Sequence, residues 1–588
     1  MKWDLTNYYK TYEDFKAAEK EAAVIIEALK DYKGKLDNEE SFVEYFNKQN
    51  LLYSNYLKLY LYAECKVSLD RRDNKAVGDV QEVMFLFQKL SQNTSFEEPE
   101  ILSIGSGKVF SFLDKHEELQ QNRFALENLF RKASHVLNEE GESIIANYSA
   151  LSDTGSETYA SLTSGDVKEC FAKLDNKEKV SVTQSNWTKL IAESNSPKER
   201  KRIFETMFGR FEENKNTFAS IYNSVLQADI ALAKSKNFDT ALDMHLFANN
   251  IPVSLYHNLI EVAHKAAPTA KKYLKLRKQV LGLKSYHTYD RFLKLSEGEN
   301  KKYTYDEAKE LFFSSIAKFD PEFNAFAREA TKDGYVDVYP ALGKRSGAYS
   351  NSVPNVHPCI LLNFTETLED VFTLAHESGH SMHTLFSEKY QPAATQNYTI
   401  FVAEIASTFN EHNLLDYLLT KGTLSKNEKI KLIQNAIDNI MSTFYRQTLF
   451  AEYEYLSHTM AEKGEPITEE SLSSIMIGLY KKYYGLDINK EKVKKYVWAY
   501  IPHFYNSPYY VYQYATSFSA SLAIYENVKK GGSEAFEQYK SLLKAGGSDY
   551  PVLEVKKAGV DFTSLKPLMA VVDRFKELLD ELEKAIAE

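Results

Sequence analysis

Helical periodicity runs through most of this chain and limits its fold more than any other feature. Apolar residues recur at three- and four-residue intervals up to about residue 145, as in "YEDFKAAEKEAAVIIEALKDYKGKL" and "ENLFRKASHVLNEEGESIIANYSAL". That spacing lines one face of an α-helix. The pattern returns after Ser196 and, beyond one non-helical block, runs almost without interruption to the C-terminus. With 588 residues the chain exceeds a single small core, so the expected fold is mostly α with two or more substructures.

Two interruptions organise the chain. Turn formers crowd Ser152 to Ser164, "SDTGSETYASLTS", and predict a break. The β-branched residues of "KEKVSVTQSNWTKLI" then suggest a short strand pair. Helix resumes after Ser196, a suitable N-cap, with Pro197 at the first helical position and Glu199 completing a capping box. This predicts a boundary near residue 190, with an N-terminal helical domain over 1–190 and a second domain over 191–588. The other interruption is "GYVDVYPALGKRSGAYSNSVPNVHPCILLNFTET". Its alternating Tyr335–Tyr339, its Gly/Ser/Pro-rich loop and its apolar run from Cys359 to Phe364 read as a small β-sheet.

Immediately after that sheet comes His376-Glu377-Ser378-Gly379-His380, within the helical "EDVFTLAHESGHSMHTLF". Histidines four apart stack on one helix face and can reach one metal ion. Glu377 lies about 100° around the helix, where it is poorly placed as a ligand but well placed to hold a water as general base. This is the zinc-peptidase pattern. A catalytic zinc takes three protein ligands and keeps one position open. The third ligand of a metzincin is excluded, because Phe386 stands where its histidine would be. His383 lies one turn beyond His380, but a straight helix cannot wrap three turns around one ion. It is therefore expected to support the site or face the substrate. Glu404, in "FVAEIASTFNEHNLLDYLL", is the expected third ligand, giving one Zn²⁺ per chain. Glu411, seven residues on and on the same face, is expected to accept the free N–H of a ligating histidine. Glu369 and Asp370 read as compensation of the helix dipole.

Bulk properties exclude other classes. A net charge of −10 argues against nucleic acid as a partner. Three scattered cysteines give no disulfide framework or cysteine metal site and fit a reducing compartment. No signal-peptide pattern or membrane span is visible, so a cytoplasmic protein is expected. "GSGK" at 105–108 lacks the glycine spacing and the Ser/Thr of a phosphate loop. The oligomeric state is left open, with a monomer as the working expectation.

With these residues assembled, the chain resembles the oligoendopeptidase F branch of the thimet oligopeptidase-like zinc metallopeptidases. The resemblance spans nearly the whole chain and includes "GKRSGAYS", "DVFTLAHESGHSMHTLFSEKY", "VAEIASTFNEH", "FYRQTLFAEYE" and "PHFYNSPYYVYQYATSFSAS". It implies a multi-helix ellipsoid whose deep internal channel, covered by the N-terminal domain, admits short unstructured peptides. It also implies zinc on His376, His380 and Glu404, Glu377 as catalytic base, and His503 and Tyr514 as groups that bind the transition state. Tyr505, Tyr509, Tyr510 and Tyr512 compete for substrate contacts, against the alternative of a buried tyrosine wall.

Substrate holding is expected through the backbone. The strand Ile360–Asn363, with Leu361 at its centre, would offer a free edge to an extended peptide, and the Gly347-Ala348 turn would allow close approach. Two other functions share these residues. A metallocarboxypeptidase would need a basic group such as Arg345 or Arg446 for the substrate carboxylate. A peptide-binding protein with an inactive site would need none of the catalytic set intact.

Overall fold

Helix forms almost wherever the helical period occurs. The computed structural model describes residues 2–296, 301–353, 356–422 and 424–588. Among these are five strands: β1 (Phe171–Lys173), β2 (Lys179–Ser181), β3 (Val336–Asp337), β4 (Tyr349–Val353) and β5 (Val356–Leu361). The remaining regular structure is helical, as expected.

The chain forms two compact units, each assembled from separated segments. The division at residue 190 follows chain order and is a different partition from these units. The first unit comprises Met1–Val136, Asn300–Thr420 and Ile524–Val560. Its first long helix, Tyr12–Leu29, starts at a capping box between Thr11 and Asp14 and buries Phe15, Ala22, Ile26 and Leu29. Residues ahead of that helix grip the sheet: Trp3 Nε1 donates to Ile360 O at 2.8 Å, and Tyr8 Oη donates to His357 O at 3.0 Å.

The sheet order is β3-β5-β4, with β3 and β5 parallel and β4 and β5 antiparallel. The free edge expected on Ile360–Asn363 does not exist, because β5 is the central strand. On one side Ile360 N–H donates to Tyr335 O at 2.9 Å and Leu362 N–H donates to Asp337 O at 2.8 Å. On the other, Tyr349 and Ser350 stand opposite Leu361 and Ile360. Leu361 is fully buried and offers nothing to a peptide. An unbroken apolar run marks a strand covered on both faces and both sides, which is how β5 is used. The open edge belongs to the polar strand β4, formed from part of the expected loop. Pro354 and Asn355 of that loop lie outside the described residues.

The second unit comprises Leu137–Glu299, Lys421–Ala523 and Asp561–Glu588. The expected strand pair is present as β1 and β2, antiparallel. Ser196 caps the helix Pro197–Glu213 by accepting the Glu199 N–H. The Glu199 carboxylate, however, accepts from Asp175 N–H at 2.6 Å, so the capping is one-sided. The break expected over 152–164 is helix instead: Thr154–Ala160, then a π-turn over Ser161–Gly165. Gly155 is there for packing. A Cβ on it would sit 2.8 Å from Val225 Cγ2, so the glycine lets this helix close on Lys215–Ser235.

Candidate metal centre

Two helices of the first unit build the site. The helix Leu368–Tyr390 carries His376, Glu377 and His380, and the helix Ile400–Thr420 carries Glu404 and Glu411. Thr367 caps the first, and Asp370 completes its capping box, the terminal role expected for that carboxylate. The two helices approach unusually closely at Gly379. A Cβ there would lie 2.5 Å from Ala406 O and 2.6 Å from Ser407 Cα, so only glycine permits the contact. Asn410 Nδ2 then ties the pair by donating to Ala375 O at 3.1 Å.

The close approach brings three donors together. His376 Nε2 and His380 Nε2 are 3.2 Å apart, and each lies near Glu404 Oε2, at 3.4 and 3.5 Å. A tetrahedral ion with ligands at about 2.0–2.1 Å separates its donors by ~3.3 Å. The donor set therefore fits a zinc-sized ion with a position left open. Among the described residues this is the one His/Cys/Asp/Glu group with such convergence.

The supporting contacts are equally specific. His376 Nδ1 donates to Glu411 Oε1 at 2.5 Å, which fixes the tautomer and leaves Nε2 facing Glu404. Ser407 Oγ donates to Glu404 Oε2 at 2.9 Å. Ser407 has no sequence signal of its own, since a serine one turn from a glutamate is commonplace. Burial works against the Glu404 carboxylate, but His376 and then His380 hold it well below the usual range.

Glu377 is 6% exposed, and its Oε2 is buried without a hydrogen-bond partner. Burial raises its proton affinity, opposed by His376 and His380 and by the Ser350 backbone N–H beside it. That is the balance a proton-accepting carboxylate needs. A cavity of about 480 Å³ opens over these residues, walled by Ala348–Val353, Gln396–Tyr398, Glu404 and the face of the first helix from His376 to Glu388. Among the described lining residues none is Lys or Arg.

Other expected residues fall elsewhere. His383 is fully buried, face to face with Tyr398 at 3.6 Å between ring centroids. Neither of its ring nitrogens has a hydrogen-bond partner, and burial pushes its pKa down to about 3. It backs Tyr398, which takes the place on the cavity wall. Gly347 has a left-handed backbone, φ 84°, next to the cavity-lining Ala348. Arg345 donates to Glu64 Oε1 at 3.0 Å.

In the second unit, His503 lies in the short helix His503–Asn506, and Tyr514 lies near the start of the helix beginning at Tyr512. Tyr514 Oη and His503 Nε2 are 3.5 Å apart. Burial, assisted by Arg446, lowers the His503 pKa. Tyr510 is partly exposed and packs on both. Tyr505 is buried and stacked on Tyr159 at 4.0 Å, and Tyr512 is buried against Tyr256, so both belong to a tyrosine wall. Tyr509 has φ 56°, strained for a non-glycine residue, and its N–H donates to the fully buried Glu454 at 2.8 Å.

Comparison with known proteins agrees with this construction. The model of peptidase family M3 matches residues 190–573, and that of oligopeptidase F matches residues 100–168. The chain is 34% identical to oligopeptidase PepF of Bacillus subtilis over 99% of this chain and 87% of that protein. It is 35% identical to an oligoendopeptidase F homolog of Borreliella burgdorferi, covering 99% and 98%. The crystal structure of oligoendopeptidase-F from Enterococcus faecium superposes with a TM-score of 0.77 at 30% identity, covering 98% of this chain and 99% of that one.

Proposed function

The chain belongs to peptidase family M3, in its oligoendopeptidase F branch, and from that premise we propose that it is a zinc-dependent endopeptidase that hydrolyses short unstructured peptides. The observation that carries this reading is the convergence of His376, His380 and Glu404 at zinc spacing in the same cavity as an unpartnered Glu377 oxygen.

When bound, zinc supplies a Lewis acid that makes water more acidic and polarises a carbonyl. Glu377 accepts the proton of the attacking water and returns it to the leaving amine. His503 and Tyr514 take the role of donors to the oxyanion, as the family resemblance implies. Substrate in extended form lies along β4, whose Ser350 has its backbone groups directed away from β5. Backbone pairing of this kind tolerates many side chains.

The lack of a basic lining residue and the pairing of Arg345 with Glu64 favour endopeptidase over carboxypeptidase action. Capping a peptide's C-terminus with an amide should leave cleavage intact. No helix among the described residues is long and apolar enough to cross a membrane. With three free cysteines, the proposed location is the cytoplasm.

The test is Glu377→Gln. Metal content should match wild type, while kcat on quenched peptides falls roughly 10²–10⁴-fold. Turnover near the wild-type rate would exclude this mechanism. Mass spectrometry of products from a mixed peptide library, with and without chelator, would establish metal dependence and internal cleavage together.

A further inference from the structure

One carboxyl group on the cavity wall has no part in the chemistry described. Glu388 lies on the same helix as the two histidines, eight residues beyond His380, and lines the same cavity as Thr384 and Tyr398. Its Oε1 is buried and has no hydrogen-bond partner. Glu377 and Glu404, the other acids of the lining, are accounted for by the metal centre, whereas no lining residue supplies Glu388 with a cation. A buried carboxyl oxygen without a partner costs free energy that a structural role would have repaid with one.

We propose that Glu388 forms a cation-binding subsite, which takes an ammonium or guanidinium group of the peptide and biases cleavage towards substrates carrying one at a fixed distance from the scissile bond. This rests on the peptidase reading of the cavity. Eight residues of helix place Glu388 about 12 Å from His380 along the axis. That is the reach of about three to four residues of extended peptide. The cation is therefore a Lys or Arg side chain, or the α-ammonium, a few residues from the cleaved bond. Burial pushes the Glu388 carboxyl up to about 8, so without a counter-charge it stays mostly protonated near neutral pH. An arriving cation would favour its ionised form and pair with it away from bulk water.

The test measures binding as well as cleavage. Zinc-loaded Glu377→Gln and Glu377→Gln/Glu388→Gln proteins are titrated with acetylated, amidated peptides in which Lys or norleucine is walked through every position. The expected result is a Lys-over-norleucine preference of about tenfold or more at one position, abolished by the Glu388 change. A neutral peptide with a free or acetylated N-terminus separates the α-ammonium from a side chain as the cation. In the wild-type background, Glu388→Lys should turn the preference towards Glu-bearing peptides. Equal Lys-to-norleucine ratios with and without Glu388 would overturn the proposal, as would the absence of any preference in either protein. Binding that follows Glu388 in a wild-type protein cleaving nothing would sink the endopeptidase reading and leave the subsite standing. Cleavage with a ratio indifferent to Glu388 would do the reverse.

Discussion

The metal centre and the His503–Tyr514 segment achieve position by opposite means. The first is two long helices pressed together at a glycine, with Glu411 and Ser407 orienting the donors. Its geometry follows from helix packing and leaves little freedom. The second is a four-residue helix and the start of the next, joined by a short irregular stretch, and its His503 and Tyr514 side chains lie 3.5 Å apart, beyond a strong hydrogen bond. Its shape depends on a strained Tyr509 and on the buried carboxyl of Glu454 that receives its N–H. Beneath it, Asp229 accepts from His245 and His458 at 2.8 and 3.0 Å. Burial works against the Asp229 carboxylate, but the two histidines hold it down at about 2. The proposed ligands thus stand on long packed helices, whereas His503 and Tyr514 stand at the ends of short or newly begun ones, anchored from below.

Four substitutions would sharpen or break that contrast. The largest effect is expected from Tyr514→Phe, which should lower kcat about 10²–10³-fold with metal content unchanged and KM little altered. Parallel loss of metal would mean that the two regions are not functionally separate. Next, Glu411→Gln should weaken metal affinity about 10–100-fold in a chelator competition, because the His376 ring loses its carboxylate acceptor.

Gly379→Ala tests the packing. Forcing the helices apart should cost about 1–3 kcal/mol, read as a lower Tm, and should weaken metal binding with it. An unchanged Tm would show that the approach is slack. The smallest effect concerns Glu454. Burial raises its pKa in the folded state well above the ordinary 4.5, opposed by the Tyr509 N–H. The native protein thus holds a proton that the unfolded chain releases, so stability falls as pH rises above 4.5 until the folded group itself ionises. Glu454→Gln removes that slope. Its Tm should decline less than that of wild type between pH 5 and pH 9. Identical slopes would mean that the carboxyl is not buried in solution.

The contrast also explains what could be read from the chain. His376, Glu377 and His380 are legible because helix geometry fixes side chains four residues apart. Glu404 and Glu411 are legible once a second helix is assumed to pack on the first. Gly379 and Gly155 carry no such signal: glycine usually reads as a breaker, and only the neighbouring helix reveals that it makes room. The same limit moves the outer edge of the sheet from the expected β5 to β4. Which strand lies outermost depends on β3, whose pairing with β5 is a tertiary matter. Of the two places open to His383, beside the site or facing the substrate, the structure excludes the second: spacing along a helix does not say what covers a residue, and here the cover is Tyr398. For His503 and Tyr514, residue pattern alone gave nothing, and family likeness was the whole of the warrant.

The close contact at Gly379 has one more consequence, for the choice of ion. Donors already standing at their final spacing need little ordering on capture, so binding free energy appears as affinity rather than being spent on rearrangement. Affinity of that kind follows the general divalent series more than any preference of the cage. Cobalt should therefore enter readily when supplied in excess, and manganese, lowest in that series, much less so. Which divalent ion such a cage takes would then depend on what is supplied more than on selection by the cage.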